Sequence, residues 1–142
     1  MPAKTTREFV LVPIIREKSH HITVVARLAG QSARFIVDTG AGGTIVDAGA
    51  VANYKLKLTS ASRKGGGVGS SSMQINYVAR HDLTLGDLDL SGTKLRTLDL
   101  SHVNAALAKA KVEPVAGVIG ADILWYHHAV IDYSRGIMLL SK

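Results

Sequence analysis

The 142-residue sequence contains no cysteine, and that absence removes several chemistries at once. There is no disulfide, no thiolate nucleophile and no cysteine-based zinc site. It also fits a reducing compartment. No segment is long and apolar enough to span a bilayer. The opening Met1-Pro2-Ala3-Lys4-Thr5-Thr6-Arg7-Glu8 lacks the apolar core of a secretory leader. A cytoplasmic location without a membrane segment is the expectation. Neither an internal repeat nor a linker-like stretch is visible, so residues 1–142 read as one domain, large enough to bury a sizeable core.

Several chemical motifs are missing too. Gly40-Ala41-Gly42 begins like a dinucleotide-binding loop, but the third glycine it needs is Ile45. The glycines at 65–69 are not followed by Gly-Lys-Ser/Thr, so they form no phosphate loop. No serine sits in a Gly-x-Ser-x-Gly elbow, and no His-Glu-x-x-His is present. The pairs His20-His21 and His127-His128 would point to opposite faces of a strand. His81 and His102 read as surface or capping residues. No metal or cofactor is called for.

Basic residues outnumber acids, 17 to 11, giving a net charge of +6. A nucleic-acid-binding protein is one reading of that balance. The basic residues are scattered, however. Arg63-Lys64 is their densest point, with only Tyr54 and Tyr77 nearby to stack on bases. Attraction to acidic substrates or surfaces is the weaker consequence, and no nucleic acid is expected as a partner.

What is present reads mostly as β. Strand signals cover Phe9 to Ile15 (an edge strand, because Pro13 lies inside it), Ile22 to Leu28, Ala33 to Val37 and Thr44 to Val46. Further ones cover Lys55 to Leu58, Met73 to Ala79, Leu83 to Leu85, Leu88 to Leu90 and Lys94 to Leu100. The last two are Ala129 to Asp132 and Ile137 to Leu140. Asp47 to Asn53 reads as a short helical turn. One helix is predicted from Ser101 as N-cap, with Val103, Ala106, Leu107 and Ala110 on one face and Pro114 closing it. Gly120 to His127 reads as a second, shorter helix.

One stretch carries chemistry: Phe35-Ile36-Val37-Asp38-Thr39-Gly40-Ala41-Gly42-Gly43-Thr44-Ile45-Val46-Asp47. An apolar strand delivers a carboxylate into a turn of small residues, and a second apolar strand leaves it. Taken alone, Asp38-Thr39-Gly40 is an ordinary turn. Its setting adds weight. A glycine-rich stretch from Ser60 to Ser72 follows, bracketed by strand signals, and Val118-Ile119-Gly120-Ala121-Asp122-Ile123-Leu124 lies near the C-terminus. Together these pieces resemble the retropepsin-like aspartic proteases over roughly Ile22 to Leu140. Asp38-Thr39-Gly40-Ala41 matches the catalytic motif, the glycine-rich stretch sits where the flap lies, and Val118 to Leu124 looks like the second signature. Ala129-Val130-Ile131-Asp132-Tyr133 and Ile137-Met138-Leu139-Leu140 look like the ending of bacterial members.

The resemblance implies an all-β, closed acid-protease-like barrel with one or two short helices, half of a pepsin-like bilobal fold. Residues 1–21 would be an N-terminal extension and edge strand, and 60–73 the flap. It implies an aspartic endopeptidase acting on extended polypeptide. Two carboxylates share one proton in such a site, because two close negative charges do not both ionise. This chain has one Asp-Thr-Gly, so the resemblance implies a homodimer with Asp38 facing its own copy. Thr39, Gly40 and Ala41 would support the catalytic loop, and Ile119 and Gly120 would pack beneath it. Gly66, Gly67, Val68 and Gly69 would cover the substrate, with Val68 as the apolar contact. Asp122 reads as a local anchor.

The pattern also departs from the retroviral members. These carry acidic residues after the catalytic motif and an arginine after the second-signature glycine. Here the positions are Gly42, Gly43 and Ala121. The acid and the arginine are absent together, so no unpaired charge is left behind. A non-catalytic domain of the same fold, binding peptides or mediating dimers, is the alternative; an intact Asp38-Thr39-Gly40 argues against it.

Overall fold

A computed structural model describes residues 8–60 and 76–142. In chain order the elements are β1 (Phe9–Pro13), β2 (Ile15–Arg16), β3 (Ile22–Leu28), β4 (Gln31–Val37), β5 (Ile45–Asp47), β6 (Leu58–Ser60), β7 (Asn76–Val78), β8 (Thr84–Leu85), β9 (Leu88–Asp89) and β10 (Arg96–Leu98). Then come α1 (Ser101–Lys109), β11 (Gly117–Ile119), α2 (Ala121–Tyr126), β12 (Val130–Asp132) and β13 (Ile137–Ser141). The larger sheet runs β6-β7-β10-β5-β11-β4-β3-β8-β9, with β2 on β3, and curls strongly into a half-barrel. A smaller sheet has the order β1-β13-β12.

β3 and β4 form the longest hairpin, joined by Ala29 and Gly30, both at positive φ. That is the backbone of a two-residue turn matched to strand twist. The Ala29 N–H donates to Asp82 Oδ1 at 2.6 Å, which holds a residue that avoids this conformation.

β11 is the topological centre. It pairs in parallel with β4 and antiparallel with β5, so it lies wedged between the strands that enter and leave the Asp38 loop. A central strand is buried on both faces, which is why Phe35-Ile36-Val37 is continuously apolar. Phe35 and Val37 face the main core, while Ile36 faces a second cluster with Val118, Leu107 and Val115 beneath α1. Full burial of a side chain such as Phe35 stabilises the fold by about 1.5–3 kcal/mol. The wedge leaves no room at Gly117, where an added Cβ would lie 2.1 Å from the Ile45 carbonyl oxygen and 2.5 Å from the Phe35 ring.

Two expectations shift. The strand predicted over Lys55 to Leu58 begins only at Leu58, because the N–H groups of Tyr54, Lys55 and Leu56 close turns onto Ala50, Ala52 and Val51. Lys55 itself is at φ +52°. The helix begins at Ser101, yet Ser101 is not its side-chain cap. Carboxylates from outside serve instead: Asp99 Oδ1 accepts from Ser101 N–H at 2.9 Å, and Asp47 Oδ1 accepts from Leu100 N–H at 3.0 Å. Val103, Leu107 and Ala110 do face inward, but Ala106 is exposed. Asn104 takes the inner side and bonds both the N–H and the carbonyl of Val115.

Candidate active site

β4 carries the chain out of the core and Asp38 is the first residue beyond it. Its N–H still donates to the Ile119 carbonyl at 3.0 Å, so the backbone of the acid is fixed by β11. Its side chain is exposed, and Oδ1 accepts from the Gly40 N–H at 2.9 Å. A Cβ at position 40 would lie 3.3 Å from that oxygen, so a side chain there would crowd the carboxylate. Ala41 N–H closes the turn onto the Asp38 carbonyl at 3.2 Å.

The far end of the loop is braced by the β11–α2 junction. Thr44 is fully buried. Its Oγ1 donates to Asp122 Oδ1 at 2.7 Å, its N–H donates to Asp122 Oδ2 at 3.1 Å, and its Oγ1 accepts from Gly120 N–H at 3.1 Å. Ala121 N–H donates to the Ala41 carbonyl at 2.7 Å, and Ile123 N–H to Asp122 Oδ1 at 2.9 Å. Gly120 lies against the loop so closely that a Cβ would meet the Gly43 and Ala41 carbonyl oxygens at 2.7 and 2.8 Å. Asp122 is therefore an anchor. Both its oxygens hold backbone and hydroxyl groups rather than a reacting water.

On the other flank the surface is apolar. Thr39, Ala121, Leu124, Trp125, His128 and Ala129 line a concavity of about 410 Å³. Trp125 and Tyr126 stand 81% and 78% exposed at the end of α2. Behind them, the Nδ1 atoms of His127 and His128 bond the Ser141 carbonyl and hydroxyl oxygens at 2.8 and 3.0 Å, tying β13 to the end of this helix.

A family model described as aspartyl protease matches residues 24–123. The match spans most of the chain, from β3 into α2. The chain belongs to the aspartyl protease family. No curated protein matches it. Solved structures extend the likeness in fold. A retropepsin-like aspartic protease from Rickettsia conorii superposes with a TM-score of 0.60 at 15% identity, covering 97% of this chain and 95% of that one. The retroviral protease-like domain of Ddi1 from Leishmania major gives 0.54 at 14% identity, covering 83% and 86%. EIAV protease in complex with an inhibitor gives 0.52 at 17% identity, covering 78% and 90%. The fold of this aspartyl protease family member is thus retropepsin-like.

The structure brings Asp38, Thr39, Gly40, Ala41, Ile119 and Gly120 into one neighbourhood. Gly66, Gly67, Val68 and Gly69 lie outside the described residues. The segment that contains them is bracketed by β6 and β7, which pair with Ser60 opposite Asn76. Among the described residues, no second carboxylate is hydrogen-bonded to Asp38. Asp132, another acid of the C-terminal region, is engaged in its own turn. The Ser134 hydroxyl and the Arg135 guanidinium and N–H hold its pKa at about 2, below the usual carboxylate range. Glu17 is also held low. Burial opposes this, but donation from the Thr23 hydroxyl and the Arg34 guanidinium outweighs it.

Sequence reasoning missed Thr44 and Trp125. Thr44 carried no local signal, since its partner is 78 positions away. Trp125 did carry one: Trp125-Tyr126 follows Ile123-Leu124, and a short helix cannot turn four successive large residues inward.

Proposed function

We propose that this chain is an aspartic endopeptidase that works as a homodimer, with one Asp38 from each copy forming the catalytic pair. The observation that carries the reading is the placement of Asp38. It is an exposed carboxylate on a loop whose two ends are hydrogen-bonded to β11 and α2, with its Oδ1 held by Gly40. A turn that served only to reverse the chain would not need this bracing.

The chemistry follows from two such carboxylates sharing one proton. The ionised carboxylate takes a proton from a water. The protonated one donates to the carbonyl oxygen of the scissile peptide. The water oxygen attacks the carbonyl carbon, the tetrahedral adduct collapses, and the amide nitrogen leaves carrying a proton. No covalent intermediate with the protein forms. The exposed Thr39 hydroxyl and the Gly40 N–H support the pair by hydrogen bonds within and across the copies. The substrate is extended polypeptide.

The test is cleavage of an unstructured protein by wild type and Asp38→Asn from acid to neutral pH. The variant should lose at least about a thousandfold in rate with its thermal transition unchanged. The wild type should be fastest at mildly acidic pH, where the pair holds one proton. An equally active variant would overturn the assignment.

A further inference from the structure

We propose that Arg96 selects an acidic side chain in the polypeptide that crosses Asp38, about three residues from the bond that is cut. The inference rests on the endopeptidase reading and names the substrate class that this site takes.

Two residues far apart in sequence leave the sheet on one face. Phe35 and Val37 face the main core, and Ile36 the second cluster. Asp38 still bonds β11 through its N–H, so it continues that alternation and its side chain leaves on the Ile36 face. In β10, Thr97 is buried opposite Val46 of the main core. Arg96, one position earlier, is therefore on the other face, opposite Ile45, which packs on the second cluster. Asp38 and Arg96 are both exposed, so α1 covers neither.

Arg96 reaches back toward the loop. A Cβ at Gly43 would lie 4.0 Å from its Nε, and one at Gly42 would meet nothing within 4 Å. The loop after Asp38 thus offers bare backbone with a guanidinium beside it. Strand order sets the distance. β4, β11 and β5 are neighbours, so the head of β5 lies two strand spacings from the end of β4, about 10 Å. An extended chain laid across the strand ends advances about 3.3 Å per residue. The side chain that meets Arg96 is then about the third from the cut. A second copy places the same contact on the other side of the cut.

The guanidinium is uncommitted. Among the described residues it has no ion-pair partner. The carboxylates around the loop are engaged elsewhere: Asp122 holds Thr44, Asp47 accepts from Leu100 and Asp99 from Ser101. A guanidinium fork matches a carboxylate in two parallel hydrogen bonds. Substrate laid over it excludes water and strengthens the pair. The net charge of +6 adds attraction for acidic polypeptide at longer range.

The experiment digests a random-sequence peptide library and reads the residues around each cut by mass spectrometry, at low and moderate sodium chloride. It uses wild type, Asp38→Asn, Arg96→Gln, Arg96→Glu and Lys55→Gln. Lys55 is exposed beside Tyr54, whose hydroxyl bonds the Ser32 carbonyl at the opposite end of β4, so this variant removes the same charge far from Asp38. Near the third residue on either side of the cut, wild type should favour Asp or Glu over Asn or Gln about five- to tenfold. The preference should weaken as salt is raised. Arg96→Gln should lose it, Arg96→Glu should turn it toward Lys and Arg, and Lys55→Gln should keep it. In parallel, the library is passed over immobilised Asp38→Asn, with and without Arg96→Gln, and the retained peptides are sequenced.

Asp38-dependent cleavage without the preference, or with it intact in Arg96→Gln, overturns the proposal and leaves the protease reading standing. A preference lost equally in Lys55→Gln belongs to net charge and also overturns it. No cleavage, with acidic peptides retained only where Arg96 is present, supports the contact and overturns the protease reading. No cleavage and no selective retention overturns both.

Discussion

Two flanks of the same carboxylate are built on opposite principles. Toward β11 and the start of α2, the loop from Asp38 to Thr44 is tied by hydrogen bonds to Ile119, Gly120, Ala121 and Asp122, and no gap is wide enough for one extra carbon at Gly117 or Gly120. Toward the far end of α2, Thr39 opens onto Trp125 and a wall of hydrocarbon that the described residues leave exposed. The first flank is finished within one chain. Its polar groups have partners, and its geometry is set by packing. The second has unmet surface rather than unmet hydrogen bonds, which is the condition in which a contact adds most on burial. Fixed geometry sits on one side of Asp38 and exposed apolar surface on the other.

Breaking the finished flank should have the largest effect. Gly117→Ala drives a Cβ into the Ile45 carbonyl and the Phe35 ring, both fixed parts of the sheet. Overpacking costs about 1–3 kcal/mol and occasionally more, and contacts this short with fixed backbone place this change at the upper end. A thermal or urea melt should show a large loss that does not depend on protein concentration; a wild-type midpoint would mean that β11 is not wedged as described.

Thr44→Val is the gentler cut. It removes the hydroxyl between Asp122 and Gly120 and strands a buried N–H, a loss of about 1–3 kcal/mol. The same melt reads it, again without concentration dependence. By contrast, substitutions on the Trp125 flank should leave the melt of the dilute chain unchanged.

The smallest effect concerns pH. Asp132 joins β12 to the turn before β13, in the smaller sheet. Its folded pKa of about 2 lies below the usual carboxylate value. A depressed acid contributes stability that is complete above its unfolded pKa and is lost as pH falls toward its folded one. Between neutral pH and about 5 the Asp132→Asn variant should therefore run parallel to wild type in melting temperature. The two curves should converge as pH falls from about 4 toward 2. Parallel curves throughout would show that the turn does not depend on this charge.

Much of this was legible in the sequence, for local reasons. Ile22 to Leu28 was read with its observed limits, because strand residues lie between clear turns. The Asp38 loop was found because an apolar strand delivers an acid among small residues. What was not legible depended partly on partners far along the chain and partly on local turns that compete with the strand and cap signals. Asp47 and Asp99 cap the approach to α1 in place of Ser101, and no window of sequence pairs residue 47 with residue 100. Lys55 to Leu58 alternates like a strand, yet its first N–H groups are already engaged in turns. Asp122 was read as an anchor, but the residue it anchors, Thr44, came only from the fold.

The wedge of β11 also imposes an order in time. The groups that close the Asp38 loop trail it by 78 positions between Thr44 and Asp122. At synthesis rates of about 5–20 residues per second, that interval lasts roughly 4–16 s. Contacts so distant in sequence form late in folding. Through all of it Asp38 has been made without the frame that orients it. Whatever this carboxylate does, the nascent chain cannot do it; the site acquires its shape only once the segment that locks it has been made.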